Sequence, residues 1–153
     1  MQQRSGFTNT ATATTYLPVP YVSACVGVAC VLAYAVPHAR LLFAPTDAWS
    51  WLAPAVEHVG PLHLVFNLYW LRILGPTTTD ALGPARFTVI YLLTGVGGFL
   101  LSNLYSGVPT IGASCSVFGL MGVLVVYGRR RGGTFGQNLS QQVLVWAIVC
   151  FLI

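Results

Sequence analysis

Long apolar runs separated by short polar connections make up most of this 153-residue chain. The first run covers residues 17–36, and residues 5–39 contain no Asp, Glu, Lys or Arg. Four more helices are predicted at 61–74, 87–105, 114–128 and 140–153. Because about 20 apolar residues span a bilayer as a helix, the chain has room for five spans. The pattern predicts an all-α membrane protein, with a polar lead at 1–16 and one membrane domain at 17–153.

The connections between these runs are polar or rich in glycine. Residues 37–60 contain Asp47 and Glu57, and also Trp49 and Trp51, whose rings suit the headgroup level of a bilayer. Polar turns are predicted at 75–86 and after Arg131, and a Gly/Pro connection is predicted at 106–112.

Composition supports a membrane environment. Only 7% of the residues are charged and 56% are hydrophobic, whereas an average soluble domain has about 25% charged residues. All seven basic residues are arginines, spread along the chain rather than gathered on one face, which argues against a nucleic-acid partner. No cysteine or histidine spacing indicates a metal site.

The arginines predict the orientation of the helices. With a cytoplasmic N-terminus, five helices place only Arg40 outside, and six arginines inside: Arg4, Arg72, Arg86, Arg129, Arg130 and Arg131. Cytoplasmic connections of membrane proteins carry the excess of basic residues. The sequence therefore predicts an N-terminus in the cytoplasm and Ser114 near the outer face.

Polar side chains at membrane depth are candidates for function, because they are costly in lipid. His63 and Asn67 are four residues apart, so they share one face of the second helix, and His58 precedes them. Hydrogen bonding between helices is the alternative role for this pair. A metal site is disfavoured, because no carboxylate or thiolate joins the pair at a suitable spacing.

The second candidate is the segment Gly112-Ala-Ser114-Cys, followed by Gly119 and Gly122. A serine at a helix start is usually an N-cap, and such glycines often allow helices to approach closely. A nucleophilic serine would also need a base and donors for the developing oxyanion. The serine N–H and a facing His–Asn pair could supply such donors.

Taken together, these motifs resemble the rhomboid family of intramembrane serine proteases. The resemblance rests on His58-x4-His63-x3-Asn67, Asp80-Ala-Leu-Gly-x-x-Arg-Phe and Gly112-Ala-Ser114-Cys-Ser-Val-Phe118-Gly119-Leu-Met-Gly122, and covers residues 20–153 in order. It implies a rhomboid-like helical bundle, with five of the family's six core helices present. It also implies cleavage of transmembrane substrates without a metal or organic cofactor.

The resemblance also implies roles for individual residues. Ser114 would be the nucleophile, and its own N–H would line the oxyanion hole with His63 and Asn67. His58 would be a structural or substrate-gating histidine, and Phe118 would pack against the catalytic histidine. Gly112, Gly119 and Gly122 would support the site.

Two features depart from the family pattern. Cys115 stands where the family usually has glycine, which places a thiol beside the expected oxyanion hole. The family's base is a histidine on a sixth helix, whereas His38, His58 and His63 all precede Ser114. We therefore expect a truncated protease whose present residues lack the base. A pseudoprotease that binds transmembrane clients is the alternative, and a transporter or channel is a third reading. A prokaryotic plasma membrane is the expected location.

Overall fold

The computed structural model describes residues 20–35, 55–106 and 112–152. Within these ranges the regular elements are five helices: α1 (Pro20–Ala35), α2 (Pro61–Leu82), α3 (Pro84–Ser106), α4 (Ser114–Arg131) and α5 (Gly133–Leu152). The prediction of an all-α fold with five helices in this order is confirmed. The predicted polar lead at 1–16 and the predictions for Arg40, Asp47, Trp49 and Trp51 lie outside the described residues.

The polar turn predicted at 75–86 is wrong for most of its length. Helix α2 continues through Pro76 to Leu82, and only Gly83, with φ 88°, separates it from α3. The polar side chains bond within the helix, since the Thr77 hydroxyl donates to the Ile73 carbonyl at 2.8 Å and the Thr79 hydroxyl to the Gly75 carbonyl at 2.7 Å. These bonds let polar residues extend a helix whose first half is apolar.

The start predicted for α5 is also wrong. The helix begins at Gly133 instead of residue 140, and α4 continues through its arginines to Arg131. Gly132, with φ 66°, is the single residue between the two helices. The backbones of Gly128 and Gly136 lie in contact across this turn. Gly136, which was predicted to lie in a turn, therefore serves helix packing.

Helix α4 is the centre of the bundle and packs against α2, α3 and α5. Its buried side chains include Leu120, Met121 and Leu124, which are at most 1% exposed. Large apolar side chains cover much of the outside, among them Leu62, Leu104 and Phe151, each at least 80% exposed. An apolar exterior of this kind is costly in water and suits contact with lipid.

Two of the described helices, α3 and α5, are long and apolar enough to cross a membrane. Helix α1 contains a shorter apolar stretch, Tyr21–Ala35. Helix α2 is long enough, but its second half carries threonines, Pro76 and Asp80. Membrane-spanning character is therefore clearest in α3 and α5.

Candidate active site

Ser114 is the first residue of α4, and Ala113 occupies the N-cap position. The alternative in which Ser114 serves as the N-cap is therefore wrong, and the cap makes no side-chain hydrogen bond. The Ser114 side chain is half-buried. Because the first N–H groups of a helix have no partner within the helix, the backbone here offers donors beside the hydroxyl.

The imidazole of His63 lies against the backbone of Gly112, two residues before Ser114. A Cβ atom added at Gly112 would lie 2.9 Å from His63 Nε2 and still closer to Cε1. Gly112 also has φ 131°, a conformation that side-chain-bearing residues rarely adopt. Glycine is thus required at this position both by the backbone turn and by the histidine packed on it.

His58 lies in the segment before α2 and is 4% exposed. Its ring centroid is 5.1 Å from that of His63, in an edge-on arrangement. His58 Nδ1 is 2.9 Å from the Val56 carbonyl, so in the neutral ring Nδ1 carries the proton and donates it. Burial lowers the pKa of His58, the bond to the Val56 carbonyl opposes this effect, and nearby His63 lowers the pKa further. The neutral ring is therefore favoured beside His63.

Asn67 is 2% exposed on α2. Its Nδ2 donates to the His63 carbonyl at 2.8 Å, which ties the amide to the backbone of the residue one turn earlier. An amide nitrogen carries two hydrogens, and this bond uses one of them. His63 and Asn67 are thus linked along one helix face, as their spacing predicted.

Among the described residues the hydroxyl of Ser114 makes no hydrogen bond to a histidine, and His38 lies outside that part of the chain. The arrangement of Ser114, His63 and Asn67 around one oxyanion hole, which the family resemblance implies, stays a prediction. What the structure brings together is His58, His63 and the Gly112 backbone.

The start of α4 is held against α3 by small residues. A Cβ atom at Gly98 would lie 2.6 Å from the Cβ and Sγ atoms of Cys115, so that side chain packs on α3. A Cβ atom at Gly119 would overlap Thr94, and this confirms the close approach predicted there. Gly122, in contrast, is exposed with nothing within 4 Å of an added Cβ atom in the described part of the chain. Phe118 is partly buried against the core.

Tyr91 on α3 connects the segment before α2, which contains His58, to α4, which begins at Ser114. Its hydroxyl donates to the Ala55 carbonyl at 3.1 Å, and its own carbonyl accepts from the Ser116 hydroxyl at 2.7 Å. Tyr91 is 2% exposed and Ser116 is fully buried. The sequence analysis missed this junction, although small residues spaced three or four apart, Gly95 and Gly98, mark such a helix interface.

The rhomboid domain family matches residues 45–153 of this chain. The chain is 32% identical over 108 residues to the rhomboid protease GluP of Bacillus subtilis, a match that covers 71% of this chain and 21% of that protein. It is 32% identical to the rhomboid protease GlpG of Photorhabdus laumondii, over 67% of this chain and 38% of the relative. For GlpG of Yersinia pestis the identity is 31%, over 65% of this chain and 37% of the relative.

The chain therefore spans well under half the length of these curated relatives. The family match, by contrast, extends over more than half of the chain and includes α2 to α5, with His58, His63, Asn67 and Ser114. The helical bundle and its apolar exterior agree with a family of integral membrane proteins. This chain belongs to the rhomboid family.

Proposed function

We propose that this chain is the nucleophile-bearing part of an intramembrane serine endopeptidase that cleaves transmembrane proteins. The observation that carries the proposal is the contact between the His63 ring and Gly112, two residues before Ser114. It brings a donor side chain on α2 to the N-terminus of α4. The relatives named rhomboid proteases support the same class of reaction.

In this proposal, the Ser114 hydroxyl attacks the carbonyl carbon of the scissile peptide bond. The oxyanion that forms accepts hydrogen bonds from the Ser114 N–H, from His63 and from the second Asn67 N–H. The N-terminus of α4 also favours negative charge, because the peptide dipoles of a helix align. Donors fixed in this way stabilise the transition state more than the substrate.

The reaction also requires a base for the Ser114 proton. We propose that this base is a histidine on a sixth helix, as the family resemblance implies. The imidazole would take the hydroxyl proton during attack and give it to the leaving amine. Water would then hydrolyse the acyl-serine with help from the same base.

A pseudoprotease is the second candidate function. Among the described residues Ser114 has no hydrogen bond to a histidine, which favours it, because a serine without a base is a weak nucleophile. In this reading the same site would hold an unwound transmembrane client without cutting it.

The deciding experiment uses the full-length protein in proteoliposomes with a transmembrane reporter and a fluorophosphonate probe that labels reactive serines. We expect reporter cleavage and labelling of Ser114, and Ser114→Ala should abolish both. Ser140→Ala, at a serine on α5, is the matched control and should retain both. If the wild-type protein binds the reporter without cutting it, the pseudoprotease reading is correct. Cleavage that survives Ser114→Ala would remove Ser114 as the nucleophile.

Within the same proposal, His63→Ala and Asn67→Ala should each reduce cleavage by about 10²–10³-fold, the typical loss for one oxyanion donor. Reporter binding should change little, because these donors act mainly on the transition state. A loss confined to KM would contradict the oxyanion role.

We also propose a prokaryotic plasma membrane with the N-terminus in the cytoplasm. Helix α4 supports this orientation, since Ser114 begins it and Arg129, Arg130 and Arg131 end it. A cysteine placed at Gly132 should react with a membrane-impermeant thiol reagent only after the cells are opened, measured in a background lacking the native cysteines. Labelling of intact cells would reverse the orientation.

A further inference from the structure

Arg72 lies near the middle of α2, ten residues before the helix ends at Leu82. At 1.5 Å per residue it is about 15 Å from either end of the helix. The sequence predicted Arg72 on the cytoplasmic side, at the end of a helix over 61–74, but α2 continues ten residues beyond it to Leu82. A bilayer's hydrocarbon core is about 30 Å thick, so in a spanning α2 this charge would lie deeper than predicted. Snorkelling along the helix shortens the distance, and an anionic or other polar partner would stabilise a guanidinium at this depth.

The Arg72 side chain lines a groove of about 490 Å³ between α1 and α2. The α1 wall consists of the small residues Ser23, Ala24 and Gly27, and the α2 wall is formed mainly by Leu68 and Leu71. The groove is therefore apolar for most of its length, with one cation among its lining residues. This combination matches a molecule that has a hydrocarbon chain and a negatively charged head.

Among the residues that the structure describes, no carboxylate lines this groove. Its three acidic residues are Asp47, Glu57 and Asp80. Asp47 and Glu57 precede Pro61, where α2 begins, whereas Asp80 lines a different cavity with Tyr127, Arg131 and Phe135, towards α4 and α5. Arg72 makes no ion pair with Glu57 or Asp80, the two acids in the part of the chain that the structure describes. An anion bound from the bilayer would neutralise it.

We propose that the groove between α1 and α2 binds an anionic phospholipid, with one acyl chain along Gly27 and Leu68 and the phosphate on Arg72. Basic pockets between membrane helices are known binding places for anionic headgroups. The bound lipid would fill the space left by the small residues of α1 and neutralise Arg72. This site is separate from the cleavage site and does not depend on the proposed reaction.

The test is native mass spectrometry of the full-length protein, purified in detergent and mixed with equal amounts of phosphatidylglycerol and phosphatidylcholine. We expect wild-type protein to retain phosphatidylglycerol with about a fivefold preference, the size expected for one arginine near an anionic headgroup. Arg72→Gln should bind both lipids equally, and Arg72→Lys should keep part of the preference. Arg86→Gln, at an exposed arginine on α3 outside the groove, is the matched control and should keep all of it.

A second variant tests the groove independently of the charge. A Cβ atom at Gly27 would lie 3.5 Å from Leu68 Cδ2, an ordinary contact, so the larger side chain of Gly27→Leu extends into the groove. It should reduce retention of both lipids, while the unfolding temperature in lipid-free detergent stays near that of the wild type. If Arg72→Gln fails to fold, lipid retention by Gly27→Leu and by Arg72→Lys still tests the proposal.

Three results would overturn the proposal. The first is equal retention of the two lipids by the wild-type protein, and the second is a preference that persists in Arg72→Gln. The third is displacement of phosphatidylglycerol by a low concentration of inorganic phosphate, together with binding of phosphate alone that is as tight as binding of the lipid. That outcome would make the groove a phosphate site rather than a lipid site.

Discussion

The side chain of Cys115 occupies space that α3 leaves open at Gly98. A Cβ atom at Gly98 would lie 2.6 Å from the Cys115 sulfur, whereas one at the neighbouring Gly97 would meet none of the described residues within 4 Å. The resemblance to the family led us to expect this thiol as added bulk around Ser114. The structure shows instead that α3 takes up its volume, so a residue larger than glycine after the serine is compatible with close packing of α3 and α4.

This pairing predicts different results for two adjacent glycines. Gly98→Ala should lower the free energy of unfolding by about 1–3 kcal/mol, because it overpacks the interface with α4. Gly97→Ala should cause no loss, since its side chain enters open space. Cys115→Gly combined with Gly98→Ala should recover most of the loss, as contacting residues couple in a double-mutant cycle. Equal thermal unfolding of the two single variants would contradict the packing.

Replacing Gly112 should reduce the cleavage rate by more than its effect on stability explains. Gly112→Ala must strain a backbone with φ 131° and displace His63, whereas Gly83→Ala strains φ 88° with no neighbour within 4 Å. Gly83→Ala should lose about 1–2 kcal/mol of stability from the left-handed backbone, and Gly112→Ala should lose more because it also displaces His63. Only Gly112→Ala should slow cleavage, by about 10²-fold, the effect of misplacing catalytic groups by about 1 Å. Similar cleavage by both variants would show that His63 has no part in the reaction.

The Tyr91 junction predicts a stability effect far from the nucleophile. Tyr91→Phe removes the donor to the buried Ala55 residue and should cost about 1–3 kcal/mol, the penalty for an unpaired buried polar group. Thr88→Val, which removes a hydroxyl bonded to the Pro84 carbonyl on the exposed side of α3, should cost less. Thermal unfolding in detergent measures both. A Tyr91→Phe protein as stable as the wild type would mean that the junction is dispensable.

His58 predicts that stability falls in mild acid. Its pKa is lowered in the folded protein, chiefly by burial, so below its usual value of about 6.5 the unfolded chain binds a proton that the folded chain does not. Stability therefore rises with pH across that window and is lost as pH falls from about 6.5 toward the lowered value. Unfolding temperatures at pH 5.5 and pH 8 should differ less in His58→Gln than in the wild type. An unchanged difference would assign the acid sensitivity to another group.

The number of helices could be predicted from the sequence, because long apolar runs mark them. The shared face of His63 and Asn67 could also be predicted, because residues four apart lie one turn apart on a helix. The sequence was insufficient at the ends of α2 and α5. Thr77 and Thr79 read as a turn, yet their hydroxyls bond back to the helix, and Gly136 reads as a loop, yet it packs on Gly128. Whether a polar or glycine residue ends a helix depends on a neighbour that the linear pattern does not show.

In the candidate site, too, features set by neighbouring residues could be predicted from the sequence, and contacts between distant residues could not. The spacing of Gly112 and Ser114 pointed to a reactive turn, and the structure adds the His63 ring packed on it. Tyr91 was not predicted, since it is 36 residues from Ala55 and 25 from Ser116 along the chain. Contacts across such separations depend on how helices pack, which one sequence does not reveal.

The contact between Gly128 and Gly136 also bears on how the chain enters the membrane during synthesis. Helices α4 and α5 are consecutive, a single residue separates them, and their touching glycines are only eight positions apart. Contacts this local close early, because the entropy of loop closure is small. The two helices can therefore leave the translocon already paired as a hairpin. In the proposed orientation, Arg129–Arg131 would hold the turn at the cytoplasmic surface. The serine helix would then reach the bilayer with one partner in place, before any later segment of the protein is made.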